Sequence, residues 1–174
     1  MKNETSLEIK EKSITLHRVF AAPVELVFKT FTEPDHVSRW WGPHIMTNPI
    51  CKIDLRIGGE YYFVMRGPDG TDYPMRGTYT EIEKNKKITF SVDLKQHPKD
   101  WFDMIKQKTN GTYDPAKLIT SISITFEKQN ESITKVSVIS NFDANVVRDA
   151  FLKMGMKEGW SESFEKLDLL LITL

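Results

Sequence analysis

The chain has 174 residues, of which 40% are apolar and 28% charged, a globular composition that excludes a disordered chain or one made mainly of membrane spans. The 24 basic and 24 acidic residues cancel, so the chain lacks the cationic surplus with which nucleic-acid-binding proteins neutralise phosphates. Cys51 is the only cysteine, so no intramolecular disulfide can form. Residues 1–13 lack the apolar stretch of a secretory signal, and the apolar segment 167–174 is too short to span a membrane. We therefore predict a cytoplasmic protein.

The first half of the chain predicts a strand, two short helices and then a run of strands. Residues 1–12 are polar, and we interpret them as an N-terminal extension. Residues 14–20 alternate between apolar and polar side chains as in a strand, and Pro23 suits the first turn of a helix. A second short helix begins near Pro34 and ends before Gly-Pro. The pattern then changes to a period of two, which predicts strands over residues 50–57, 61–65, 75–83 and 87–94.

The second half predicts a hairpin followed by one long helix. Residues 95–117 do not continue the alternation of apolar and polar side chains, and we interpret them as an inserted loop or helix near the mouth of a cavity. Two strands within residues 118–141 form the hairpin. Apolar side chains then recur at helical spacing over residues 143–173. Gly155 and Gly159 lie inside this helix, where each costs about 1 kcal/mol relative to alanine, so we expect a bend or close packing on the sheet there.

The order of these elements predicts an α+β fold. A curved antiparallel sheet of about six to seven strands wraps around the long C-terminal helix, which is the only element long enough to cover one face of it. The space between helix and sheet can hold a ligand or be filled by large side chains. No linker divides the chain, so we predict a single domain over residues 1–174.

Several short segments point to a known superfamily because they occur in order and at matching spacing over nearly the whole chain. They are residues 18–23 with 27–28 and 31–32 after them, 33–43, 54–56 with 58–59, 65–70 and 158–160. Together they resemble the SRPBCC (START-like) superfamily, and more narrowly the proteins related to the activator of the Hsp-90 ATPase. The resemblance implies a helix-grip fold with a cavity between the long helix and the sheet. It does not imply a reaction, because the superfamily includes lipid and hormone binders, aromatase/cyclases and chaperone-stimulating domains.

Large apolar side chains on the presumed inner face are the candidate lining of that cavity, since pockets are mostly apolar and methionines adapt to the shape of a ligand. In the Trp40-Trp41 pair, one indole can line the cavity while the other closes the loop over it, or both can simply pack. A filled core would use the same side chains, so both interpretations stay open. The predicted ligand-binding residues are Phe28, Trp40, Trp41, Tyr61, Phe63, Met65, Met75, Phe90, Met154, Trp160 and Phe164.

The sequence carries no recognisable catalytic or metal-binding motif. The four histidines, His17, His36, His44 and His97, do not have metal-ligand spacing, and for His36 and His44 we expect a surface role. Cys51 lies in a strand pattern, where we expect a buried and inert thiol. We therefore predict no catalytic residue, no metal and no cofactor.

Three functions remain open. The first is a non-catalytic binder of a small apolar or aromatic molecule, such as a lipid or a polyketide-like compound. The second is a protein-interaction or co-chaperone-like module, although the eukaryotic Hsp-90 activator has an additional N-terminal domain for which this chain has no room. The third is a cyclase- or hydrolase-like enzyme with Glu60, His44 or Glu158 as its acid or base. A homodimer is compatible with the resemblance, and neither nucleic acid nor a membrane is an expected partner.

Overall fold

The computed structural model describes residues 4–174, which form an α+β fold around one antiparallel sheet of eight strands. The strands are β1 (Ser6–Ile9), β2 (Ser13–Phe20), β3 (Thr47–Ile53), β4 (Glu60–Arg66), β5 (Asp72–Glu83), β6 (Lys87–Ser91), β7 (Ile119–Asn130) and β8 (Ile133–Phe142). The helices are α1 (Val24–Thr32), α2 (Pro34–Trp40), α3 (Lys99–Lys108), α4 (Asn145–Lys153) and α5 (Met156–Ile172). The sheet is curled and open in the order β1-β2-β8-β7-β6-β5-β4-β3, which confirms the predicted helix-grip class. No helix within the described residues is long and apolar enough to cross a membrane.

Burial alternates along the long central strands and decides which face of the sheet is covered. On β8, Val136 and Val138 are fully buried while Ser137 between them is half-buried. A β-strand places successive side chains on opposite faces, so this alternation is the expected signature of a sheet with one packed face. Phe126 of β7 contacts Phe28 and Phe31 of α1 edge-on, with ring centroids 5.2 Å apart in both pairs. The packed face therefore lies under the helices.

The first two helices are short because prolines punctuate the chain. Pro23 precedes α1 and Pro34 is the first residue of α2, a position where the missing proline N–H costs no hydrogen bond. Trp40 at the end of α2 is fully buried, and its indole N–H donates to the carbonyl oxygen of Thr30 at 2.8 Å. Its ring also lies 4.6 Å from that of Phe31. These contacts lock α2 onto α1.

The predicted long C-terminal helix is instead two helices, and this prediction was wrong in that respect. Gly155 has a φ of +86°, a left-handed conformation that glycine adopts without steric cost, and it separates α4 from α5. Gly159 lies inside α5, where a Cβ atom would be 3.5 Å from Pro43. The two glycines therefore mark a break and a close approach to the loop after α2, rather than packing on the sheet.

The C-terminal half of α5 is anchored to β2. Phe164 is fully buried and meets Phe20 edge-on at 5.6 Å between ring centroids. One turn further on, Asp168 accepts a hydrogen bond from the guanidinium of Arg18, a β2 side chain that is only 6% exposed. The Arg18 guanidinium also donates to the Thr5 hydroxyl at 3.3 Å. Because an ion that is buried without its partner is strongly destabilising, the pair fixes the position of α5 over this part of the sheet.

The strands differ from the prediction in number and in bounds, since β5 begins at Asp72 rather than residue 75 and β6 ends at Ser91 rather than residue 94. The eighth strand, β1, falls within residues 1–12, which we interpreted as a polar extension; residues 1–3 of that segment lie outside the described part. β1 pairs with β2, but it has four mostly exposed residues and so no detectable alternation. The strand predicted over residues 50–57 runs from Thr47 to Ile53. Leu55 and Ile57, which continue the alternation in the sequence, are exposed in the turn before β4.

The left-handed conformation at Gly155 leads to a test of the helix break. We expect Gly155→Ala to lower the free energy of unfolding by about 1–2 kcal/mol, because a Cβ atom strains a left-handed residue even though no neighbouring atom lies closer than 3.7 Å to it. Gly159→Ala is the matched control: it meets only an ordinary contact and improves the helix propensity, so stability should be unchanged or higher. Urea denaturation measures the free energy of unfolding of both variants. An equal loss of stability in the two would contradict a left-handed helix break at Gly155.

Candidate functional site

A cavity of about 390 Å³ lies beyond the anchored half of α5 and is partly open to solvent. Its walls come from the N-terminal half of α5, the end of α4, helix α3, strands β4, β5 and β7, and the loop after α2. This volume is within the range of small-molecule sites in proteins. A depression of about 420 Å³ beside Asp103 and Lys106 on α3 is shallower, polar and open to solvent, and so does not have the enclosure of a ligand site.

Methionine is the most frequent residue in the cavity wall. All six methionines within the described residues 4–174 line it. They come from the loop after α2, from β4 and β5, from α3, and from both sides of the break between α4 and α5, and they are Met46, Met65, Met75, Met104, Met154 and Met156. Unbranched, polarisable side chains of this kind adjust to the shape of a ligand and make favourable contacts with aromatic rings.

Three of the four tryptophans complete the wall. Trp41 meets Trp160 of α5 edge-on at 5.2 Å between ring centroids, and Trp101 of α3 lies 5.8 Å from Phe151 of α4. Phe151 also lines the cavity, so indole and phenyl rings face the same space from three helices and the loop after α2. The wall therefore combines flexible thioethers with rigid aromatic surfaces.

The loop that carries Trp41 is fixed in place from two sides. Gly42 has a φ of +84°, and a Cβ atom at this position would be 2.6 Å from the sulfur of Met65. The ammonium group of Lys166 on α5 donates to the Gly42 carbonyl oxygen at 3.1 Å. Partial burial of this ammonium lowers its pKa. Glycine is therefore required here for both the turn and the close approach of Met65.

The structure divides the eleven predicted site residues into two groups. The residues that line the cavity are Trp41, Met65, Met75, Met154 and Trp160. The residues that lie in the packed core instead are Phe28, Trp40, Tyr61, Phe63, Phe90 and Phe164. Tyr61 shows why: its ring lies 5.1 Å from Phe90 and its hydroxyl donates to the Ser91 carbonyl at 2.7 Å, so aromatic neighbours on β4 and β6 pack against each other.

Several lining residues were missed by the sequence interpretation. Trp101 and Met104 come from α3, within the segment 95–117 that we placed near a cavity mouth without naming side chains. Tyr73, His97, Met46 and Met156 also line the cavity but were not among the predicted lining residues. The spacing of Trp101 and Met104 could have signalled a shared face, because residues three apart in a helix are neighbours on its surface.

Few polar groups face the cavity. The described lining residues include no acidic side chain, no lysine and no arginine, and their polar side chains other than tryptophan are Tyr73, His97 and Ser163. The Ser163 hydroxyl donates to the Gly159 carbonyl at 2.8 Å within α5. His97 lies edge-on to Trp101 at 4.4 Å and to Tyr73 at 5.7 Å between ring centroids. Its imidazole is therefore packed among aromatic rings.

Burial lowers the pKa of His97 to about 4, while the Pro74 carbonyl acts weakly in the opposite direction. Both ring nitrogens are buried, and neither makes a hydrogen bond of ordinary geometry with a described residue. At neutral pH the ring is therefore uncharged and carries one donor and one acceptor nitrogen.

The other candidate reactive groups lie away from the cavity. Glu60, His44 and Glu158, the acid–base candidates, are exposed and do not line it. Burial raises the pKa of the Cys51 thiol to about 12, which makes thiolate chemistry there unfavourable. Among residues 4–174 no cluster of histidine, cysteine or acidic side chains could hold a metal ion.

The comparisons with known proteins establish the family. The model of the family described as "Activator of Hsp90 ATPase homolog 1-like protein" matches residues 21–171. The chain belongs to this family. The match confirms the family resemblance identified from the short sequence segments. No curated protein matches the chain at a significant level.

Several bacterial proteins of solved structure have the same fold as this chain. A protein from Nitrosomonas europaea is 25% identical, with a TM-score of 0.76 over 95% of this chain and 97% of that one. A protein from Rhodobacter sphaeroides is 17% identical, with a TM-score of 0.79 over 98% of this chain and 99% of that one. A Silicibacter pomeroyi protein that carries the family's name is 20% identical, with a TM-score of 0.70 over 92% and 98%.

The buried, neutral state of His97 predicts a pH effect on the stability of this family member. Between pH 6.5 and about 4 the unfolded chain binds a proton on His97 and the folded chain does not, so the free energy of unfolding falls as the pH decreases. In His97→Phe this contribution is absent. Urea denaturation of both proteins across that pH range should therefore show a shallower decline for the variant, and parallel curves would contradict the burial of the imidazole.

Proposed function

We propose that this protein is a non-catalytic binder of a small, uncharged, apolar or aromatic molecule. The observation that carries the proposal is the cavity of about 390 Å³ with its wall of six methionines and three tryptophans. Such a wall favours ligands whose contact surface is apolar, and it tolerates variation in their shape.

The electrostatics of the wall support an uncharged ligand. A carboxylate or an ammonium group that entered this space would lose its hydration and find no oppositely charged side chain among the described lining residues. An apolar molecule has no such desolvation cost, and its transfer from water is favourable by roughly 25 cal/mol per Å² of buried apolar surface.

The chemistry of the lining supports binding rather than turnover. Proton transfer needs a group with a pKa near the working pH within reach of the ligand. His97 has a pKa near 4 and so remains a weak base at neutral pH. Glu60, His44 and Glu158 are exposed and do not line the cavity, which argues against them as the acid or base of a cyclase- or hydrolase-like mechanism there. A cytoplasmic location remains part of the proposal, supported by the single unpaired Cys51.

A variant that fills the cavity tests the proposal. N-phenyl-1-naphthylamine is an uncharged probe whose fluorescence rises in an apolar environment, and we expect the wild-type protein to bind it with saturation. Met154 is half-buried in the cavity wall, so Met154→Trp should reduce the free volume and weaken probe binding by roughly tenfold or more.

Leu169→Trp is the matched control, because Leu169 lies on α5 but is 65% exposed and does not line the cavity. It should leave the affinity for the probe unchanged. Circular dichroism and thermal denaturation verify that both variants are folded. Equal affinities in the wild-type protein and Met154→Trp, or no saturable binding to the wild-type protein, would rule the proposal out.

A further inference from the structure

Among the described lining residues, His97 is the one whose buried side-chain nitrogens make no hydrogen bond of ordinary geometry. The described chain contains three other side chains with such an atom, Arg18, His36 and Asn48, and none of them lines the cavity. Buried polar atoms in folded proteins are nearly always paired with protein, water or ligand. The ring is also held in place, since the next residue, Pro98, is the N-cap of α3 and Trp101 packs against the ring.

The surroundings of the ring decide which kind of partner fits. The backbone atom identified beside the ring belongs to Pro74, which has no N–H, so the contact involves its carbonyl oxygen and can only accept. A neutral imidazole that directs its N–H toward this oxygen leaves its other nitrogen as an acceptor. The complementary ligand group is therefore a hydrogen-bond donor.

The rest of the wall restricts the ligand further. No described acidic or basic side chain lines the cavity, so a charged donor such as an ammonium group would remain unpaired. A hydroxyl on an aromatic ring satisfies both conditions, because it is uncharged at neutral pH, with a pKa of about 10 as in tyrosine, and donates one hydrogen bond. The aromatic body would lie among Trp101, Phe151 and the methionines.

We propose that the cavity selects phenol-like ligands, and that the imidazole of His97 accepts the hydrogen bond of their hydroxyl group. This inference rests on the proposed function and adds to it the chemical class of the ligand and the residue that orients it. His97 acts here as a specificity-determining residue and not as an acid or base.

The test compares two probes of similar size that differ in one group. 2-Naphthol carries the hydroxyl, and 2-methylnaphthalene has a methyl group in its place; equilibrium dialysis at pH 7 measures the affinity of each. We expect His97→Phe to weaken 2-naphthol binding by roughly tenfold while the affinity for 2-methylnaphthalene stays the same or increases. His97→Gln keeps a side-chain acceptor and should retain part of the preference, which also covers the case in which the phenylalanine variant fails to fold.

His17→Phe is the matched control, because His17 on β2 bonds Ser137 at 2.8 Å and does not line the cavity, so both affinities should be unchanged. If all variants bind both probes as the wild-type protein does, a water satisfies His97 and the inference is wrong, while the ligand-binding proposal stands. If neither probe binds the wild-type protein, the proposed function and the inference fail together.

Discussion

The structure depends on how one half of α5 is fastened to the sheet. Phe164 packs edge-on against Phe20, and Asp168 pairs with the buried guanidinium of Arg18, so the C-terminal half of the helix cannot lift from β2. Among the residues that the structure describes, none on the sheet makes a ring contact or an ion pair with the N-terminal half. Its ring contact is Trp160 with Trp41 of the loop after α2, and between this half and strands β4, β5 and β7 the cavity remains.

The same constraint explains why the cavity wall is assembled from distant segments. The break at Gly155 makes α4 and α5 separate helices that both contribute to the wall, and α3 from the inserted segment supplies Trp101 and Met104. Lys166 holds the Gly42 carbonyl and so ties the loop after α2 to the anchored helix. We therefore expect a change in the anchor to alter the cavity, because close-packed side chains transmit strain to their neighbours.

Local patterns were sufficient for the order of the elements but not for the site. Alternation and proline positions located β2, α1 and α2 because these signals are set within a few residues. Trp40 and Trp41 are adjacent, yet one lies in the core and the other lines the cavity, since the end of α2 sends them in different directions. Six methionines line one cavity, but no local pattern predicts this because they are spread over residues 46–156 of the sequence. Tertiary packing alone brings them and His97 together.

The most direct test of the central claim, that this protein encloses a small uncharged ligand, is native mass spectrometry of the purified protein set against its denatured mass. We expect either an excess mass that disappears on denaturation, or a ligand-free protein that forms a one-to-one adduct when an uncharged aromatic compound is added. A bare mass in both cases, as purified and with such compounds in excess, would contradict the claim. The cavity would then have to be considered a packing space that side chains or water fill in solution.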